Sequence, residues 1–236
     1  MATVNPILSD MQARLRENRR DFEVLNVYRC VHFLCKATLD GLNADNIVLT
    51  VQPPASVLLE KKRHTIVLGD RLFDPLKASI VSFDIVTGRL ELQGYTYAGH
   101  IIGSRHENRV EPESPLRVEI ETEGGGIKAE LADLSLNGAG IHVPALQPGA
   151  LLKRGQNLLI QLHLPEGNIK IPAMVRGLEQ KADSCRMAVE FTQNVPGKTI
   201  IFRYITRRLA EIQQEVQDLY QETYQACLRE RHKAET

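Results

Sequence analysis

Apolar positions along this chain recur at two periods, and the changes of period mark out its parts. Near the start, Leu8, Met11 and Leu15 stand at helical spacing, and Phe22 and Leu25 extend the same stripe. Asn5 before Pro6 is a suitable opening, a capping side chain followed by a residue that needs no N–H partner. An N-terminal helix is therefore expected within residues 1–25. From Asn26 the period falls to two. Val31, Phe33 and Cys35 share one alternation within Val27–Leu39, and Asn46–Val51 is a second strand ended by Pro53-Pro54. Val57–Glu60 and Thr65–Leu68 read as short strands, and Ala78–Val86 with Arg89–Gly94 as a hairpin through Thr87-Gly88. Six short strands with turn signals predict a small split barrel over residues 26–98.

The alternation resumes after residue 115. Val118 and Ile120 face one way and Arg117, Glu119 and Glu121 the other. Gly124-Gly125-Gly126 turns the chain, and Ile127, Ala129 and Leu131 carry the pattern back. Further strands follow at Gly140–Pro144, Asn157–Leu164, Ile169–Val175 and Cys185–Phe191, with turns at Gln147-Pro148-Gly149 and Glu166-Gly167-Asn168. These predict a second six-stranded antiparallel barrel over residues 99–195. Pro196-Gly197 breaks the pattern, and residues 196–236 read as a long helix to about Lys233. The predicted fold is mainly β with terminal helices: two small β-barrels and a long C-terminal helix.

That last helix carries Phe202, Ile205, Leu209, Ile212, Val216, Leu219, Thr223 and Ala226 in steps of three and four. Packing on its own barrel or on a second copy would give the same stripe. A helix of about 35 residues spans roughly 50 Å. A domain of about 100 residues has a radius of gyration near 13 Å. The stretch from Val216 to Ala226 is thus expected to overhang the barrel and to meet a partner helix in a homo-oligomer.

Composition narrows the function. Lys and Arg number 29 and so do Asp and Glu, so the overall field favours neither nucleic acid nor an anionic membrane. Aromatic residues are 5%, with no stacking motif of the RNA-binding kind. No apolar run reaches the roughly 20 residues of a membrane span, and the N-terminus has no signal-peptide core. Cys30, Cys35, Cys185 and Cys227 are scattered, which fits a reduced cytoplasmic protein. Arg14, Arg16, Arg19 and Arg20 cluster beside the first helix, either as a solvated face or as a basic surface for a membrane or acidic partner. Motifs for nucleotide hydrolysis, dinucleotide binding, zinc proteolysis and serine hydrolysis are all missing, and no histidines are paired at metal-ligand spacing. Neither catalysis nor a metal is expected.

One constellation carries chemistry. Arg105 and Arg109 stand four apart on a loop, after Gly103 and before Pro112 and Pro115. The following hairpin should return Asp133, Ser135, Gly138 and Gly140 to the level of Arg109. Two guanidinium groups beside a carboxylate, a hydroxyl and a glycine-rich backbone suit an anion or a nucleobase. A second reading of Asp133 and Ser135 is a turn that hydrogen-bonds its own backbone.

Arg105-x-x-x-Arg109 followed by Asp133-x-Ser135-x-x-Gly138 resembles the PilZ family of bacterial cyclic di-GMP receptors, over about residues 104 to 192. The chain departs from the family where Ser104 replaces an arginine common at the loop's start, and at Ala188, where a glycine is common. A small barrel directly before this segment resembles the N-terminal domain of flagellar-brake proteins. The resemblance implies a cytoplasmic receptor that takes cyclic di-GMP as a ligand rather than a cofactor. Its contacts would come from Arg105, Arg109, Asp133, Ser135 and Gly138, with Ser104, Asn137 and Gly140 beside them. Asp133 would accept from guanine N–H groups, and Gly138 and Gly140 would let the backbone come close. The signal would pass to an unidentified protein effector through a change of interdomain arrangement. Two alternatives stay open: a PilZ-like interaction module that no longer binds nucleotide, and an unrecognised enzyme.

Overall fold

The computed structural model describes residues 6–17, 20–43, 46–69, 75–98, 108–122, 125–144, 152–180, 184–192 and 197–234. The predicted features at Asn5, Arg19, Gly124 and Gln147-Pro148-Gly149 lie outside these residues. The chain divides into two compact units, one made of Met1–Tyr28, His32–His106 and Gln213–Thr236, the other of Arg29–Val31 and Glu107–Ile212.

The first unit is a closed barrel. Its strands are β1 (Asp21–Tyr28), β2 (Val31–Asn43), β3 (Asn46–Val51), β4 (His64–Leu68), β5 (Leu76–Asp84) and β6 (Arg89–Tyr97), in the order β1-β2-β3-β6-β5-β4. Alternate positions turn inward, so Val24, Leu39, Leu49, Leu90 and Leu92 are fully buried. Helix α1 (Pro6–Arg16) adds Ile7 and Met11 to the same core. All four cysteines are free, and burial pushes the Cys35 thiol up to about 11, leaving it a protonated core residue.

Three local expectations fail here. Phe22 and Leu25 lie on β1 instead of extending α1. Asp21-Phe22-Glu23-Val24 alternates strictly, and the Arg20 carbonyl accepts from Leu39 N–H at 2.8 Å, which ties the segment to β2. Val27–Leu39 is two strands, because Arg29 and Cys30 both take positive φ (46° and 65°) and reverse the chain. Such turns normally show Asn or Gly, so the sequence holds no sign of this one. Ala55–Leu59 forms a 3₁₀ turn, where Val57–Glu60 was expected as a strand. All five of its residues are buried, so no alternation exists to be paired.

The second unit is also closed and antiparallel. β7 (Arg117–Thr122), β8 (Gly125–Ser135), β9 (Gly138–Pro144), β10 (Asn157–Leu164), β11 (Gly167–Gln180) and β12 (Ser184–Phe191) run in the order β10-β11-β12-β9-β8-β7. Ile120, Leu134, Ile141, Ile160, Ile171 and Met187 are fully buried within it.

Helix α2 (Lys198–Ala234) extends to within one residue of its expected end. Its residues through Ile212 belong to the second unit and those from Gln213 to the first. The buried residues are Ile201, Tyr204, Ile205, Arg208, Ile212 and Val216, whereas Phe202 is 55% exposed and Ala226 is also exposed. Val216 is part of the first unit's core, with Leu219, Tyr220 and Cys227 packed against it. The overhang expected at Val216–Ala226 therefore does not arise. The length comparison set the helix against one barrel only, and its part from Gln213 on is packed within the other unit. No helix among the described residues is long and apolar enough to cross a membrane.

Candidate functional site

Arg109 is positioned by its neighbour. Val110 and Leu134 exchange both backbone hydrogen bonds at 3.0 Å, an isolated bridge that sets residue 109 beside the end of β8. Past the bridge, Glu111 N–H donates to the Arg29 carbonyl at 3.1 Å, and its own carbonyl accepts from Arg208 Nε at 2.9 Å. The backbone is thus fixed at residues 110 and 111.

Asp133 depends on a bulge. Ala129 and Leu131 face the core, and strict alternation would send Asp133 there as well. The register shifts between Leu131 and Asp133, so that Leu134 pairs with Ala139 and is buried in its place. Asp133 instead pairs with Gly140 on the outer face. It is covered even so, at 1% exposure.

Two arginines cover it. Arg109 Nη1 donates to Asp133 Oδ1 at 2.9 Å, and Arg186 Nη2 donates to Oδ2 at 2.6 Å. A buried carboxylate is costly unless charge and hydrogen bonds meet it, and here each oxygen has its own guanidinium. The arginine side chains keep 30% and 43% of their surface exposed, so the cations face outward from a buried anchor.

The glycines are dictated by packing. A Cβ at Gly140 would lie 2.3 Å from Asp133 Oδ2, and one at Gly138 would lie 2.5 Å from the Val189 carbonyl oxygen. Ser135 Oγ donates to the Gly138 carbonyl at 3.2 Å, closing the turn between β8 and β9. It is buried, and its hydroxyl serves its own backbone, whereas Asp133 does not. Asn137 is exposed, and its Oδ1 accepts from Lys198 Nζ at 3.2 Å.

The structure therefore gathers Arg109, Asp133, Ser135, Gly138 and Gly140, with Asn137 at the edge. Ser104 and Arg105 lie outside the described residues. Arg186 was missed. On β12 it pairs with His142, and Ala188 pairs with Gly140, so one outer row reads Asp133, Gly140, Ala188. Arg186 reaches Asp133 by crossing β9 at Gly140, where no side chain stands in the way. Among the described residues no group of three His, Cys, Asp or Glu side chains is placed to hold a metal ion.

Residues 104–207 match the model of the PilZ domain, a span that takes in both motifs, the second barrel and the start of α2. This part of the chain is a PilZ domain. Solved structures similar to the chain include MrkH of K. pneumonia in complex with cyclic di-GMP, at 12% identity and a TM-score of 0.45, covering 89% of this chain and 95% of that one. YcgR of Escherichia coli in complex with cyclic di-GMP is similar at 14% identity and a TM-score of 0.42, over 93% of this chain and 95% of that one. The inhibitor of motility MotI/DgrA of Bacillus subtilis is similar at 15% identity and a TM-score of 0.39, over 81% and 97%. No curated protein sequence matches the chain.

Proposed function

We propose that this protein is a cytoplasmic receptor for cyclic di-GMP, binding it on the outer face of the PilZ domain and passing the signal to a protein effector. The observation that carries the reading is Arg109 anchored on buried Asp133 at 2.9 Å, with Gly140 packed directly against that carboxylate. The ligand has two phosphates and two guanines, each guanine with O6 and N7 acceptors on one edge. Arginine's planar fork fits both groups and also stacks on a base. By sequence Arg105 adds a second guanidinium and Ser104 a hydroxyl to this segment, and Asn137 offers a polar group at the edge of the site. Both oxygens of Asp133 already accept from arginines, so its first task in this scheme is to aim those forks. Further lone pairs then remain for guanine N–H groups. The role is binding, not catalysis.

Each well-made arginine–guanine contact is worth roughly 1–3 kcal/mol. Arg109→Ala and Arg105→Ala are each expected to weaken cyclic di-GMP binding by about tenfold or more in calorimetric titration. Unchanged affinity in both variants contradicts the site.

Arg105 and Arg109 follow the first barrel directly, on the connection between Tyr97 and Pro115. A ligand held there shifts the interdomain arrangement by its difference in affinity for the two states. The small-angle scattering curve is expected to change with ligand, and to stop changing in Arg109→Ala. Superimposable curves at saturating ligand contradict a conformational switch.

The second reading, an interaction module without nucleotide, is favoured by Ser104 in place of an arginine and by the Ala188 methyl opposite Gly140. Self-association through α2 is not part of the proposal, because Val216 and Leu219 pack within the chain's own first unit.

A further inference from the structure

We infer that Arg186 is a third ligand-binding arginine of this site, and that it reads the O6/N7 edge of a guanine. The inference rests on the proposed cyclic di-GMP reading and assigns a role to a residue outside both motifs. Arg186 belongs to β12, 53 residues beyond Asp133, yet its Nη2 lies 2.6 Å from Asp133 Oδ2. It is the counterpart of Arg109, which holds the other oxygen. Among the described residues its contact is to one buried carboxylate oxygen, which engages one of its five N–H donors.

Two features favour a base edge over a phosphate. The first is orientation. A phosphate is satisfied by a nearby positive charge, whereas a base edge needs a fork held in one plane. Asp133 cannot easily move to follow a swinging partner: it is buried at 1% exposure, and Gly140 leaves no spare room against Oδ2. The second is what flanks Arg186. Its neighbour on the outer face of β12 is Ala188, half-buried and carrying one methyl group, while Gly138 and Gly140 on β9 are buried. A flat ring can approach the guanidinium over Ala188 without meeting a long side chain.

The test is a double-mutant cycle between the arginine and the ligand, using the full chain. Wild type and Arg186→Gln are titrated with cyclic di-GMP and with the analogue whose guanine N7 atoms are replaced by carbon. Arg186→Gln is expected to weaken cyclic di-GMP by about tenfold or more. The analogue should bind wild type more weakly by a similar factor, and the two losses should not multiply. Arg186→Lys, which keeps the charge without the fork, should fail to restore affinity. Arg109 still partners Asp133 in both variants, so their thermal melts should stay near wild type and a binding loss reports on the contact. Multiplying losses, or rescue by lysine, overturn the guanine-edge assignment. Cyclic di-GMP binding that is unchanged in Arg186→Gln overturns the role of Arg186 and leaves the receptor reading standing. A wild type that binds no cyclic di-GMP removes the receptor reading and this inference with it.

Discussion

Removing Arg109 and Arg186 together is expected to destabilise the PilZ domain by about 3 kcal/mol, far more than either single change. Each single variant leaves one guanidinium on Asp133. The double variant leaves a carboxylate at 1% exposure with neither of the arginines that now hold it. The figure is set at the low end for a broken buried pair, because both arginines are partly exposed and water can enter in their place. For a domain of this size it corresponds to a fall of roughly 12 °C or more in the melting midpoint. Asp133→Asn introduced into the double variant removes the stranded charge, and most of the loss should return. A double variant that melts with wild type contradicts the picture of Asp133 as a buried anchor for the two arginines.

The second large effect is expected at the glycines. Gly140→Ala puts a methyl carbon 2.3 Å from Asp133 Oδ2 and 2.9 Å from its Cγ, so the carboxylate has to turn away. Turning breaks the geometry at both arginines at once. Overpacking of this kind costs about 1–3 kcal/mol, and ligand affinity should fall further than in Arg109→Ala alone. Gly138→Ala meets the Val189 carbonyl oxygen at 2.5 Å, which is backbone and yields less readily, so its melting midpoint should fall at least as far. Gly126→Ala is the control, since nothing lies within 4 Å of the added carbon. Melts and titrations of the three variants decide it: a Gly140→Ala protein that binds like Gly126→Ala contradicts the proposed arrangement.

Much of this was legible in the sequence where the signal was local. Val118, Ile120, Ala129 and Leu131 alternate as a barrel hairpin should, and all four are buried. The hairpin also placed Asp133 at the level of Arg109, an alignment realised through the Val110–Leu134 bridge. Other features carried no local signal. Arg29 and Cys30 turn the chain with positive φ and without a glycine. The bulge before Asp133 cannot be read from alternation, which points the carboxylate into the core. The stripe on α2 was visible, but not which unit its part from Gln213 on packs within. Arg186 was invisible for a nonlocal reason. Its part in the site depends on β12 lying beside β9 and β9 beside β8, and no spacing along the chain encodes that order.

The most direct measurement is calorimetric titration of the full chain with cyclic di-GMP, run beside GMP and cyclic di-AMP. Paired arginines oriented by a buried carboxylate predict saturable binding of cyclic di-GMP, clearly weaker binding of the other two nucleotides, and loss of the signal in Arg109→Ala. A chain that gives no binding heat with cyclic di-GMP, and from which no labelled cyclic di-GMP can be displaced, contradicts the account and favours a PilZ domain that serves only as an interaction module.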